Sequence, residues 1–411
     1  MSDLTTNLTK YASLIVNLGV NVQPKQTIII YAAVDQVQLT RLITKAAYAK
    51  GAAEVIVKWD DPVIDQEFLT NADPLRLQTP PYTFEKQAAK ELMNKKASRI
   101  SILSNSPDAF KLVPTKQLQA YKIGKTIVKQ PVMKATMNND ISWLVVAAAS
   151  PEWAQMVYPD EEVEAATAHL WQTIFEANRL NTANPETSWA EHIAFLDNQA
   201  AWLNTNQFDA LHYQSTDTDL TIGLPANHVW KAAGDKDSSG NSFVPNMPTE
   251  EVFTAPDNRR IDGTVSSTLP LSYDGQIING IQLTFESGRI ISAKAEQGSE
   301  LLNSLINTDD GSHSLGEVAL VPEDSPIAQT KTIFYNTLFD ENASDHIAIG
   351  ASYPFNIKNG TNMTAEQLAA VGLNQSDVHV DFMIGSKDMN ITGITKTQQE
   401  IPPIMRNGNW V

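Results

Sequence analysis

The chain has 411 residues, of which 42% are hydrophobic, and this length favours two domains that each have their own core. Its formal net charge of −17 at pH 7 repels a phosphate backbone and excludes a nucleic-acid partner, since no basic patch counters that field. The lack of cysteine excludes disulfides, iron–sulfur clusters and thiolate ligands, so any metal ion must be held by His, Asp or Glu.

Apolar runs in this sequence are short. None approaches the roughly 18 residues of a membrane-spanning helix, and the first residues lack the basic and then apolar order of a secretory signal. We therefore expect a cytoplasmic protein without a membrane partner. The negative net charge mainly favours solubility, and it also favours the binding of cationic ligands such as divalent metal ions.

The first 205 residues are predicted to form an N-terminal α/β domain with a mostly parallel sheet, because short apolar strands alternate with helical patterns. The sequence carries neither a complete Gly-x-Gly-x-x-Gly pattern nor a complete phosphate-binding loop, so this sheet is interpreted as a scaffold. Two bridging helices, near 161–179 and 185–203, complete the domain, the second with Asn184 as N-cap and Pro185 at its first position. The predicted strands are Thr27–Ala33, Ala53–Trp59, Arg99–Leu103 and Ser142–Ala148.

Residues 206–411 are predicted to form a C-terminal α+β catalytic domain. From Phe208 onward the pattern changes to short strands separated by Asp, Gly and Asn turns, which is typical of a largely antiparallel sheet. The overall fold class is therefore α/β, with the two domains divided at residues 205 and 206.

Metal-type ligands are concentrated in this second half. His379 and Asp381 stand two residues apart in Val378-His-Val-Asp-Phe, and alternate side chains of a strand share a face, so both should point the same way. Polar residues that face water on a half-exposed strand would give the same pattern. Glu317 lies in the apolar run Leu315-Gly-Glu-Val-Ala-Leu, where a carboxylate is costly to bury unless it is paired or bound to a metal ion.

Two further segments leave alternatives open. Glu250 and Glu251 are neighbours, so in a strand only one of them can face a given site, and the pattern does not choose between them. His346 begins His-Ile-Ala-Ile-Gly-Ala-Ser-Tyr. If this stretch is helical, Tyr353 lies two turns further along the same face; if it is a strand, Tyr353 should face away. His192 has no partner pattern and is interpreted as a surface residue of an amphipathic helix.

Two imidazoles and three carboxylates form the ligand set of a dinuclear site for Zn²⁺, Co²⁺ or Mn²⁺, which usually supports hydrolysis by metal-activated water. The five side chains are those of one glutamate of the pair Glu250 and Glu251, together with Glu317, His346, His379 and Asp381. A serine hydrolase lacks support, because the sequence has no Gly-x-Ser-x-Gly motif.

Four long motifs in order resemble the aminopeptidase T group of metallo-aminopeptidases, peptidase family M29, which includes AmpS and PepS. They begin with Asn246-Met-Pro-Thr-Glu-Glu-Val-Phe and Gly316-Glu-Val-Ala-Leu-Val-Pro, and the others are Thr337-Leu-Phe-Asp-Glu-Asn-Ala-Ser-Asp-His and Val378-His-Val-Asp-Phe-Met-Ile-Gly-Ser. The resemblance covers essentially the full length.

The resemblance implies two divalent metal ions, a homodimer, and release of N-terminal amino acids from peptides with a free N-terminus. It implies that the second glutamate of the pair, Glu251, is the ligand, that Glu317 has a catalytic role as well as a metal role, and that Tyr353 is catalytic. The alternatives are another dinuclear metallohydrolase, such as an amidase or a carboxypeptidase, and a non-enzymatic metal-binding protein.

Overall fold

A computed structural model describes residues 2–79, 83–95, 97–104, 106, 108–397 and 404–411. These residues divide into two compact units, of which the first comprises Met1–Glu191, Gly234–Pro248 and Asp274–Gln276. The second comprises His192–Ala233, Thr249–Tyr273 and Ile277–Val411. The first unit therefore ends at Glu191 along the chain, and two later segments belong to it as well. The boundary at residues 205 and 206 stays a prediction.

The first unit contains a five-stranded parallel sheet, which confirms the predicted mostly parallel sheet. Its central strands are apolar and buried on both faces; in Thr27–Ala33 only Tyr31 is partly exposed. Such continuous apolar runs are typical of parallel strands that helices cover on both sides. The strands, in their order across the sheet, are Glu54–Asp60, Thr27–Ala33, Ser98–Leu103, Trp143–Ala147 and Asn246–Met247.

Helices connect the strands of this unit and end where the sequence indicates. The helix Val37–Ala49 ends before Gly51, whose φ of 100° is readily adopted only by glycine. Asn184 accepts a hydrogen bond from the backbone N–H of Thr187 (3.2 Å), so it caps the helix that begins at Pro185, as predicted. The other α-helices of this unit are Ser2–Leu14, Pro62–Asn71, Pro74–Gln78, Thr83–Lys95, Thr115–Met137, Pro151–Val157 and Val163–Ala177. The helix Pro185–Asn206 begins in this unit and continues past Glu191.

The second unit is built on two antiparallel sheets, as the short strands and turns predict. The larger sheet contains, in order, Arg289–Lys294, Gln282–Glu286, Ile261–Ser266, Asp219–Gly223, Ala210–Gln214, Asn390–Ile394, Met405–Arg406 and Asn409–Trp410. The smaller sheet contains Val252–Thr254, Leu315–Leu320, His346–Gly350 and His379–Met383. Short helices span Ser299–Ile306, Thr337–Asp340 and Ala365–Ala370. The strand Leu271–Tyr273 pairs with Gln276–Ile278, whereas the pair of Asp235–Lys236 with Ser242–Phe243 belongs to the first unit.

One apolar core lies between these two sheets. The larger sheet contributes Tyr213 and Ile222, and the smaller sheet contributes Val318, Ile347 and Phe382. Because side chains alternate along a strand, the residues between these core positions must point to the opposite face of the smaller sheet. No helix in the described part of the chain combines the length and apolar character needed to cross a membrane.

Candidate metal centre

The opposite face of the smaller sheet carries four of the predicted ligands. In the strand register Glu317 pairs with Ala348, and Ala348 pairs in turn with Asp381. In the next row on the same face Ala319 pairs with His346. Residues opposite each other on neighbouring strands lie on one face, so the register brings these side chains together. The buried Ala348 leaves space between the two carboxylates.

His379 lies on the same face as Asp381 because it stands two residues earlier in the strand His379–Met383. It pairs with Gly350 at the end of the strand His346–Gly350, and Gly350 has a φ of 109°. The edge strand Val252–Thr254 adds Phe253, which pairs with Ala319 and therefore faces the same side.

Glu251 reaches the cluster from the residues just before that edge strand. Hydrogen bonds hold the backbone there: Thr249 O accepts from Nε2 of His192 (2.8 Å), and Glu250 N donates to Oδ1 of Asn342 (2.7 Å). The interpretation of His192 as a surface residue was wrong, since its side chain is only 11% exposed and also lies 3.4 Å from Oε2 of Glu250. The two neighbouring glutamates thus point to different partners, and only Glu251 joins the ligands.

Glu317 stands at the centre of the cluster, and each of its carboxylate oxygens faces a different histidine. Oε1 lies 3.6 Å from Nε2 of His346, and Oε2 lies 3.7 Å from Nε2 of His379. On one side Nε2 of His346 is 3.2 Å from Oε2 of Glu251, and on the other Nε2 of His379 is 3.4 Å from Oδ1 of Asp381. The structure therefore brings all five predicted ligands together.

Hydrogen bonds orient both imidazoles for ligation through Nε2. Nδ1 of His346 lies 3.1 Å from the carbonyl oxygen of Ser344, and Nδ1 of His379 lies 2.7 Å from that of Ala351. A carbonyl oxygen only accepts, so Nδ1 donates in each case, and a neutral ring presents its lone pair at Nε2. That lone pair faces carboxylate oxygens, an arrangement that is stable only when a proton or a metal ion lies between them.

Burial and charge shift the pKa values of these groups strongly. Burial raises the pKa of Glu317 to about 7, against the opposing effect of the two histidines. Burial lowers the pKa of His379, but the charges of Asp381 and Glu317 outweigh it and raise the value to about 9. Burial also lowers the pKa of His346, but Glu251 and Glu317 outweigh this effect and raise it well above its ordinary value. Burial alone would raise the pKa of Asp381, yet the charge of His379 lowers it.

The donor set fits divalent metal ions. Glu251, Glu317 and His346 offer ligand atoms that lie within 4.8 Å of one another, and so do Glu317, His379 and Asp381. Glu317 belongs to both groups. Oδ1 of Asp381 is buried, and its near polar neighbour is Nε2 of His379 at 3.4 Å, a distance that leaves this oxygen poorly satisfied unless a cation binds it. Carboxylates with imidazoles suit Zn²⁺, Co²⁺ or Mn²⁺.

Tyr353 corrects one inference from sequence. The stretch from His346 is a strand, and the expectation that Tyr353 would then face away was wrong, because the strand ends at Gly350 and the alternation ends with it. The ring of Tyr353 lies 4.9 Å from that of His379, centroid to centroid. Burial, and then the charges of Glu317 and Asp381, raise its pKa well above 10, so the hydroxyl keeps its proton at neutral pH.

Glu341 is a residue of the site that sequence reasoning missed. It is buried, and burial followed by the negative charges of Asp381 and Glu251 raises its pKa well above its ordinary value. Oε1 lies 3.4 Å from Nδ2 of Asn342, the residue that also holds the backbone of Glu250. In the sequence, Glu341 is marked only by its position five residues before His346. The same segment contains other acidic residues, so the sequence alone does not single it out.

Comparison with known proteins supports this chemistry. The family model described as thermophilic metalloprotease (M29) matches residues 4–410. The chain belongs to that metallopeptidase family.

Curated relatives of this M29 protein align over its full length. It is 49% identical to aminopeptidase PepS of Streptococcus thermophilus over 98% of both chains. It is 46% identical to aminopeptidase AmpS of Bacillus subtilis over 100% of both chains. Among solved structures, wild-type AmpT from Thermus thermophilus superposes with a TM-score of 0.92 at 35% identity and covers 99% of each chain. The fold is therefore shared with a solved structure.

Proposed function

We propose that Glu251, Glu317, His346, His379 and Asp381 hold two divalent metal ions and that this cluster hydrolyses the first peptide bond of substrates with a free N-terminus. The general activity follows from the family and from relatives that are all aminopeptidases: the chain is a metal-dependent aminopeptidase. One observation supports two ions more than any other, namely that the two oxygens of one carboxylate face two different histidines.

Charge favours this stoichiometry. Three ligand carboxylates carry a charge of about −3, which exceeds what one divalent ion neutralises and falls short of what two supply. When bound, such ions lower the pKa of water towards neutrality and polarise a carbonyl group. Burial, followed by the negative charges of Asp381 and Glu251, raises the pKa of Glu341, so its charge is less readily formed in the metal-free site. Its carboxyl group offers one more oxygen at the site.

In this proposal Glu317 and Tyr353 handle the proton and the developing charge. Glu317 would accept a proton from water and pass it to the leaving amine. Tyr353 keeps its hydroxyl proton and can donate a hydrogen bond to the oxygen of the attacked carbonyl, where negative charge develops. The ring of Tyr353 lies 4.9 Å from that of the ligand His379, centroid to centroid, which supports this role.

We assign the requirement for a free N-terminus to binding of the substrate's α-amine at this site, since an acylated nitrogen has no lone pair available for such binding. A panel of peptides with free, N-acetylated and C-amidated termini tests this. We expect release of the first residue only from peptides with a free amine, with C-amidation tolerated. Cleavage of N-acetylated peptides would favour an amidase, and dependence on a free carboxylate would favour a carboxypeptidase.

Removal of the metal ions gives a second test. Exhaustive chelation should abolish hydrolysis of leucine p-nitroanilide, and Zn²⁺, Co²⁺ or Mn²⁺ should restore it. Hydrolysis that survives chelation contradicts a metal-dependent mechanism, whereas bound metal without any turnover would favour a storage protein. The homodimer and the cytoplasmic location stay predictions.

A further inference from the structure

One peptide unit beside the ligand Glu251 is held at both of its polar groups by side chains. The unit consists of the carbonyl group of Thr249 and the N–H of Glu250. Nε2 of His192 lies 2.8 Å from the carbonyl oxygen, and the N–H donates to Oδ1 of Asn342 over 2.7 Å. Because a peptide unit is planar, the two contacts fix its orientation, and with it the direction in which the chain continues to Glu251.

Glu251 needs such support because it lies outside the sheet. It immediately precedes the edge strand Val252–Thr254. The other carboxylate ligands, Glu317 and Asp381, lie within strands. Hydrogen bonds between neighbouring strands fix the backbone of a residue within a sheet. The position of Glu251 depends instead on the peptide unit before it and therefore on the two side chains that hold that unit.

Asn342 is completely buried, and its amide group has a single orientation that satisfies its partners. Nδ2 donates to the carbonyl oxygen of Leu338 (2.8 Å), while Oδ1 accepts from Glu250. A carbonyl group only accepts and an N–H only donates, so turning the amide round would break both hydrogen bonds. Asn342 lies four residues before His346, and so it ties the segment of Glu251 to the segment that enters the strand of His346.

We propose that Asn342 is a positioning residue that holds Glu251 at one metal ion and sets the affinity of the protein for that ion alone. This inference rests on the proposed function, since it requires two ions. Glu251 belongs to one of the two ligand groups, together with Glu317 and His346. The second group shares Glu317, but its other members lie in the strand His379–Met383. Loss of the Asn342 amide should therefore weaken the first ion and spare the second.

Calorimetric titration of the metal-free protein with Zn²⁺, with a competing chelator to resolve each affinity, tests this inference. Asn342→Leu keeps the branching of the side chain but removes the acceptor for the N–H of Glu250. It should weaken one zinc ion by roughly 10- to 100-fold and leave the other within about 2-fold. Unchanged affinity for both ions, or an equal loss for both, overturns the proposal.

Asn178→Leu is the matched control. Asn178 is also completely buried, and its Nδ2 donates to the carbonyl oxygen of Ile174, four residues earlier (2.8 Å). Asn342 makes the same bond to Leu338. In the described part of the chain, however, Oδ1 of Asn178 accepts no hydrogen bond. The two substitutions therefore remove the same local bond and differ in the contact with Glu250, so Asn178→Leu should lower the melting temperature but leave both zinc affinities unchanged.

Double variants show whether Asn342 acts through Glu251. With Glu251→Gln in place, Asn342→Leu should change zinc affinity by less than about 2-fold, because the ligand that Asn342 positions is already lost. With Asp381→Asn in place the full loss should remain. The same holds for Glu341→Gln, which tests the 3.4 Å contact between Nδ2 of Asn342 and Oε1 of Glu341. An equal effect of Asn342→Leu in all three backgrounds contradicts positioning of Glu251.

The folding of the variants and the number of ions have their own controls. Asn342→Ala removes the same acceptor without adding apolar bulk, and it replaces Asn342→Leu if that variant does not fold. A wild type that binds a single zinc ion contradicts the proposed two-ion function. Positioning by Asn342 then still holds if Glu251→Gln and Asn342→Leu each weaken that ion without adding to each other, and it is overturned if their effects add.

Discussion

Acidification should weaken metal binding steeply, because protons and metal ions compete for the same nitrogen atoms. In the metal-free protein burial lowers the pKa of both histidines, but the carboxylates outweigh it and raise the pKa of His379 to about 9 and that of His346 well above its ordinary value. At pH 8 and below, Nε2 of His379 therefore carries a proton that a metal ion must displace, and the raised pKa of His346 acts in the same direction. One displaced proton changes the association constant by about 10-fold per pH unit, or on the order of 10²-fold and about 3 kcal/mol between about pH 8 and about pH 6.

Calorimetric titration with Zn²⁺ in buffers of different ionisation enthalpy counts the protons released, and competition with a chelator gives the affinity at each pH. His169→Gln is the matched control, since His169 pairs with Glu161 on the surface of the first unit and should not affect the proton count. Release of fewer than one proton per chain near neutral pH, or an affinity that does not change with pH, would refute the reasoning.

The same shift determines how the stability of the metal-free protein depends on pH. Folding raises the pKa of His379 from 6.5 to about 9, so its contribution is fully present below about pH 6.5 and is lost as the pH rises through about 9. The contribution is about 3 kcal/mol at most. The metal-free protein should therefore unfold at lower temperature as the pH rises through this window. His379→Gln should reduce that dependence, and the part that remains comes from His346, whose pKa is raised in the same direction.

Three substitutions test individual roles. Glu317→Gln should lower kcat by roughly 10²-fold or more, measured with leucine p-nitroanilide, and near-normal turnover in a metal-loaded variant would remove the proton-transfer role. Tyr353→Phe should lower kcat by about 10²-fold with a smaller rise in KM, because the hydrogen bond strengthens in the transition state; a change in KM alone would place the hydroxyl in substrate binding. Ala348→Leu should fill the space between Glu317 and Asp381 and abolish zinc binding in equilibrium dialysis. Ile347→Val, on the core face of the same strand, should cost about 1 kcal/mol of stability and leave zinc affinity intact.

Local patterns predicted much of the fold. The strand Thr27–Ala33 has the predicted bounds, because a continuous apolar run flanked by turn residues allows few alternatives. Alternation likewise placed His379 and Asp381 on one face of a strand. The high cost of burying a lone carboxylate correctly indicated that Glu317 has close partners.

The features of the site that the sequence did not predict depend on contacts between residues that are far apart in the chain. The choice between Glu250 and Glu251 depends on His192, which lies about 60 residues away in the chain, and no local periodicity reports that contact. Tyr353 reaches the site because the strand ends at Gly350, whose positive φ redirects the chain.

We propose that one carboxylate, that of Glu317, is shared by two metal ions. A crystal structure of the zinc-loaded protein, with anomalous scattering recorded at the zinc edge, tests this proposal. We expect two zinc ions per chain, each about 2.0–2.2 Å from a different oxygen of Glu317. A single ion, or two ions of which one has no bond to Glu317, would contradict it.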